Sequence, residues 1–268
     1  MSSNGLVGCL SGIILYMANI SAVHAIMMEA VFEGVVTSSF DATGSILGEA
    51  GSDHLVGTSV TTRFWYDSAE PVPDLNPSDP TLASYRYPIL SNVDWIEASI
   101  DVGGMTFFID PYYGSGNTLL DDKAFVYDGY SSPPRDGLFL EDRASYHHED
   151  INGSESRNAY LYATFVEYID DVIVGGVALP DYLIEWDNND ASDSGHGRLE
   201  IAHVVTDNAG SVIEYEYAQL FFDVASLRLS TVPEPPTIAL IGIVLTGVSF
   251  TRKSRKRFAQ QRKKHLAD

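Results

Sequence analysis

The stretch "VDWIEASIDVGGMTFFID", residues 93–110, decides the fold class. Ile96, Ala98 and Ile100 alternate with Glu97, Ser99 and Asp101, the period of two that sends apolar and polar side chains to opposite faces of a strand. "VGG" then runs straight into "MTFFID". Two adjacent glycines supply the positive φ angles of a tight two-residue turn, so Gly103 and Gly104 predict a hairpin and antiparallel pairing.

The same period recurs outward from this hairpin. In "SVTTRFWYD", residues 59–67, Val60, Thr62, Phe64 and Tyr66 share one face while Arg63 and Trp65 lie on the other. Similar segments occur near 29–37, 123–128, 159–169, 181–187, 197–206 and 211–223, separated by clusters of Pro, Gly, Asp, Asn and Ser. No helical period interrupts them. The expectation is an all-β body, an antiparallel two-sheet sandwich for which a jelly roll is one arrangement. In "SVIEYEYAQLFFD", residues 211–223, Ile213, Tyr215 and Tyr217 oppose Glu214 and Glu216 before the apolar phase passes to Ala218, Leu220 and Phe222. That change predicts a bulge near Ala218, or burial on both sides. In "LEIAHVV", residues 199–205, His203 falls on the apolar face and reads as a hydrogen-bonded core histidine.

A chain of 268 residues, 45% hydrophobic, has enough material for one good core. Residues 26–233 carry 35 acidic and 8 basic side chains, a formal charge of −27. Such a surface repels nucleic acid and anionic lipid, which makes the body a poor candidate for binding either directly, and it suits cations and solubility after export.

Both termini carry addresses. "LVGCLSGIILYMANI", residues 6–20, is an apolar run, and the "SAVHA" after it places Val23 and Ala25 at the −3 and −1 positions of a signal-peptidase site. Residues 1–25 are therefore expected to be a signal peptide cleaved after Ala25. Cys9 is the single cysteine and would leave with it, so the exported body, residues 26–231, would hold no disulfide. At the other end stands "VPEPPTIALIGIVLTGVSFTRKSRKR", residues 232–257. Thr237 to Phe250 contains no charge; as a helix these 14 residues give about 21 Å against about 30 Å of hydrocarbon. Its flanks strengthen the reading as a short transmembrane helix. Pro233, Pro235 and Pro236 suit a first turn, and Arg252, Lys253, Arg255, Lys256 and Arg257 form the basic cluster that stays cytoplasmic, followed by a tail at 258–268.

A Val-Pro-Glu-Pro motif at Val232, Pro233, Glu234 and Pro235, then a short apolar helix, then an Arg/Lys-rich end resembles the PEP-CTERM sorting domain of Gram-negative bacteria that make exopolysaccharide. Pro236 stands where that family more often has a small residue. The resemblance covers roughly a tenth of the chain and implies an exosortase as processing partner. It also implies transient anchoring in the inner membrane, then delivery to the cell surface or extracellular matrix, beside exopolysaccharide or biofilm.

The body offers little catalytic signal. "DNNDASDSGHG", residues 187–197, presents Asp187, Asn189, Asp190 and Asp193 as oxygen ligands suited to calcium. It lacks the glycine and final glutamate of an EF-hand, and a solvated turn is the favoured reading. In "YHHED", residues 146–150, His147 and His148 would point to opposite faces of a strand and so would not share an ion. There is no nucleophile elbow, HExxH or Walker A pattern, and adjacent acids such as Asp121 with Asp122 are frequent in a chain this acidic. The expectation is a non-enzymatic matrix or surface protein without a cofactor other than calcium. Two alternatives stand beside it: a carbohydrate-binding module using Trp65, Tyr112 and Tyr113, and a secreted polysaccharide hydrolase with two carboxylates in a cleft.

Overall fold

The computed structural model describes residues 26–87, 93–109, 117–131, 133–174, 176–190 and 192–232. The expected signal peptide with its cleavage site at Ala25, Tyr112 and Tyr113, the motif residues Pro233, Glu234 and Pro235, and the basic cluster from Arg252 to Arg257 lie outside them.

The described residues contain thirteen strands and no helix, and hence no helix long and apolar enough to cross a membrane. The strands are β1 (Met27–Asp41), β2 (Gly51–Ser52), β3 (Ser59–Asp67), β4 (Leu82–Arg86), β5 (Ile96–Val102), β6 (Met105–Phe108), β7 (Asn117–Leu120), β8 (Lys123–Tyr127), β9 (Asp136–Asp150), β10 (Gly153–Glu167), β11 (Ile184–Asp187), β12 (Ser194–Asp207) and β13 (Val212–Thr231). Every pairing between them is antiparallel, as the hairpin at 93–110 predicts. Val102 faces Met105 across a turn in which Gly103 and Gly104 have φ angles of 59° and 82°, values that glycine adopts without strain.

Hydrogen bonding joins all of these strands into one sheet, rather than into two separately bonded sheets: ten follow the order β4-β8-β9-β10-β12-β13-β1-β3-β5-β6, and β2, β7 and β11 pair with β1, β9 and β13 off this path. β5 nevertheless comes up against β9 and β10, far along that path. The continuous sheet therefore curls so that its inner faces share one core. Val60, Thr62, Phe64 and Tyr66 of β3 are all buried there, as their alternation predicts, together with Leu138 and Leu140 of β9, Leu161 and Phe165 of β10, and Leu220 and Phe222 of β13. Tyr66 donates its hydroxyl to the Pro180 carbonyl at 2.8 Å, which satisfies the one polar atom that its ring carries inward.

Two expectations need correction at β12 and β13. The β12–β13 register runs unbroken from His196 opposite Asp223 to Val205 opposite Glu214, so no bulge stands at Ala218. The irregularities in β13's other ladder, with β1, lie at Glu33/Gly34 and Val36/Ser38 instead. Glu214 and Glu216 share the face of Ala218, Leu220 and Phe222, whereas Tyr215 and Tyr217 share the outer face with Phe221. The polar-apolar pattern inverts because the strand outruns the core. Burial on β12 ends at Leu199, so His203 lies on the inward-facing phase but beyond the covering layer. It sits there among carboxylates, with Nε2 3.1 Å from Glu155 and Nδ1 3.6 Å from both Glu214 and Glu216, rather than in an apolar core.

Candidate functional site

The outer face of β8, β9, β10, β12 and β13 carries the most distinctive side-chain arrangement on the body. Antiparallel register sets its rows. Phe125 lies opposite Phe139, Tyr162 opposite Arg198, Arg198 opposite Phe221, and Gln219 opposite Phe40 of β1. The outward phase of each strand is thus aromatic at neighbouring positions, while the inward phase holds the aliphatic core.

The rings touch in sequence across the strands. Phe125 meets Phe139 edge to face at 5.3 Å, Phe139 stacks on Tyr162 at 5.4 Å with planes 24° apart, and Tyr162 meets Tyr160 at 5.5 Å. Arg198 lies over Tyr160 at 5.9 Å and over Phe221 at 5.2 Å, with its guanidinium also engaged by Glu200. At the β13 end Tyr215 and Tyr217 stack at 6.4 Å with planes 12° apart, and Phe40 packs beside Tyr217. At the β8 end Arg135 lies over Tyr127 and Tyr130. Most rings are half-buried by their neighbours; Phe40, Phe221 and Tyr215 reach 41%, 37% and 49% exposure.

Polar groups are interleaved with the rings. Lys123 bonds Glu141 at 2.6 Å, and Ser145 donates to Asn158 at 2.8 Å, with Arg143 beside the same amide. Burial, and then the Glu141 charge, holds the Tyr160 hydroxyl above the ordinary phenol range, and burial does the same for Tyr162 against the opposing effect of Arg198. Both hydroxyls stay protonated and able to donate. A sheet face of partly exposed rings, some stacked and some edge-on, bordered by such donors and acceptors suits a ligand with an apolar C–H face and a hydroxyl rim.

The other residues singled out from sequence are placed differently. Trp65 is half-buried on the outer face of β3, its indole N–H donating to Glu29 at 3.1 Å, away from this platform. His147 is hydrogen-bonded to Ser156 at 2.8 Å, and His148 stacks on Tyr146. The loop at 187–193 does not gather its four proposed ligands. Asp187, Asn189 and Asp190 are exposed, and their segment is organised by turn bonds from Asn189 N–H to the Asp187 carbonyl and from Asp193 N–H to the Asp190 carbonyl. Asp193 turns instead toward Glu167. Burial and then the Glu167 charge raise Asp193, whereas the N–H groups of Ile169 and Asp170 hold Glu167 low against its own burial.

Three groups of acidic or histidine side chains converge within 4.8 Å among the described residues, and none includes that loop: His203 with Glu214 and Glu216, Asp94 with Asp122 and Asp142, and Asp128 with Asp136 and Asp171. The last group borders a cleft of ≈ 280 Å³ also lined by Glu167 and Asp170. Asp136 is committed there to the N–H groups of Gly129, Val172 and Ile173 at 2.9, 2.9 and 3.0 Å, and Glu167 to Ile169, Asp170 and the Trp186 indole. Both carboxylates pin loops.

The sequence signal for the aromatic face is the phase of "AYLYATF", residues 159–165, in which Tyr160 and Tyr162 oppose Leu161, Ala163 and Phe165. Its continuation onto Phe139 depends on pairing 24 residues of chain into one hairpin, which periodicity alone does not supply. No family model, curated protein or solved structure matches the chain.

Proposed function

We propose that the chain is an exported, non-catalytic protein of the bacterial surface or extracellular matrix whose body binds a neutral polysaccharide through the aromatic outer face. The observation that carries the binding half of this reading is the set of rings Phe125, Phe139, Tyr162, Phe221 and Phe40 on one outer face, half-buried to exposed and edged with hydrogen-bonding groups. The export half rests on the resemblance of residues 232–257 to a PEP-CTERM signal. Signal peptidase would act after Ala25 and an exosortase near Glu234, with the inner membrane as a transient anchorage in a Gram-negative cell. A body charge of −27 disfavours anionic polymers, and the basic side chains on the face are offset by Glu141 and Glu200, which is why the ligand is a neutral glycan. The curled antiparallel sheet is the support beneath this face.

A hydrolase would need two carboxylates free to act on one bond. The acidic cleft spends Asp136 and Glu167 on backbone and indole donors, which favours binding over catalysis. Native gel electrophoresis of the full chain through gels containing neutral β-glucan, galactomannan or an anionic alginate tests the reading. Retardation by a neutral glycan, absent in the Phe139→Ala, Tyr162→Ala double variant, is expected. Migration unaffected by every neutral glycan, or equal retardation of the double variant, would refute it.

A further inference from the structure

We propose that Asp94, Asp122 and Asp142 form a calcium site at the seam where β5 meets β9. The inference is independent of the aromatic face. Each of the three residues offers a carboxylate oxygen, and these atoms all lie within 4.8 Å of one another. Calcium–oxygen bonds of about 2.4 Å place ligands on a sphere whose diameter is about 4.8 Å, so the three oxygens already fit around one ion.

The surroundings supply the second argument. Asp122 and Asp142 are each only 2% exposed, and Asp122 Oδ1 and Asp142 Oδ2 have no hydrogen-bond partner among the described residues. Their other capacity is spent on the edge of β5. Asp122 Oδ2 accepts from the N–H groups of Trp95 and Ile96 at 2.8 and 3.2 Å, and the Ala98 N–H faces Asp142. These bonds anchor both carboxylates to a rigid strand while leaving an oxygen of each unspent. A buried carboxylate oxygen without a partner is costly, and a pair of them side by side calls for a positive charge. The basic side chains that neighbour them in sequence are engaged elsewhere: Lys123 with Asp121 and Glu141, and Arg143 beside Asn158. Asp94, which is exposed, stands at the outer end of the group and gives an ion its way in.

The donor set selects the ion. All three side-chain ligands are hard oxygens with no histidine or cysteine among them, which suits calcium over zinc or copper. Water would complete the coordination beside Asp94. Calcium would thus bond β5 to β9 across the seam and hold the curled sheet closed.

The test uses the full chain dialysed against chelator and titrated with calcium by calorimetry, with terbium as a luminescent substitute. Trp95 is the reporter, since its ring is buried next to Asp94 and its indole N–H donates to the Asp122 carbonyl at 3.3 Å. The expected result is one saturable site, terbium emission sensitised by tryptophan and lost in Trp95→Phe, and affinity reduced at least about tenfold in the exposed-ligand variant Asp94→Asn. Asp142→Asn should abolish the site. Asp94→Asn guards against a folding defect, because its side chain is at the surface. Only weak, unsaturable binding, or an affinity unchanged in both Asp94→Asn and Asp142→Asn, would overturn the proposal and leave Asp122 and Asp142 as carboxyls that retain a proton.

Discussion

Tyr162 concentrates the residue-scale chemistry of the outer face, because it stacks on Phe139, touches Tyr160 and lies opposite Arg198. Replacing it by alanine removes the middle of the platform without opening the core. We expect glycan affinity to fall by about 0.5–1.5 kcal/mol, a two- to tenfold loss measured by titration calorimetry, with little change in melting temperature. Burial, opposed by the Trp95 and Ile96 N–H donors and reinforced by the Asp94 charge, pushes Asp122 up to about 7. Burial and then the charges of Asp122 and Asp94 raise Asp142 well above the carboxylate range. The folded protein thus binds these protons more tightly than the unfolded chain does. In calcium-free buffer stability should fall as pH rises from about 4 through about 7, as melting temperatures across that range would register, and Asp142→Asn should flatten the decline. In the sequence Asp122 stands beside Asp121 and Asp142 beside Glu141. Nothing in their spacing says that a distant strand, β5, lends both of them its edge N–H groups.

Glycine positions and strand length govern the elements. Gly195 and Gly197 of β12 face inward, and a Cβ on Gly197 would stand 2.2 Å from the Phe222 ring and 2.6 Å from the Tyr162 carbonyl. The missing side chain is what lets Phe222 lie flat under β12. Gly197→Ala should cost about 1–3 kcal/mol, measured by chemical denaturation, through overpacking rather than backbone strain. Period-two alternation made β3, β5 and their neighbours legible because each has one face in the core and one in solvent. It was less informative for β9, where Glu141 and Asp142 interrupt the pattern with buried charges. It misled at β13 for a different reason. Tyr215 and Tyr217 look like core residues, but they belong to an outer face that is itself aromatic, and the glutamates opposite them project past the end of the core.

At the scale of the whole molecule, the one hydrogen-bonded sheet ends at Thr231, a single residue before the proline-rich motif begins at Val232 and Pro233. Cleavage near Glu234 would therefore remove the apolar segment and basic tail without cutting β13. Intact-mass analysis of the protein from an exopolysaccharide-producing host should find a product beginning at Ile26 and ending near Glu234, and the mass should revert to an unprocessed C-terminus when the exosortase is deleted. The sheet's antiparallel character was readable from one hairpin. Its continuity and curl were not, since they depend on the non-local meeting of β5 with β9 and on β13 bridging β12 to β1. The most direct measurement is fractionation of such a culture into cells, polymer matrix and medium, comparing the wild-type chain with the Phe139→Ala, Tyr162→Ala variant at equal expression. A matrix-associated protein is predicted for the wild type, with a variant of the same processed mass released to the medium; equal retention of both in the matrix would contradict recognition of polysaccharide by the aromatic face.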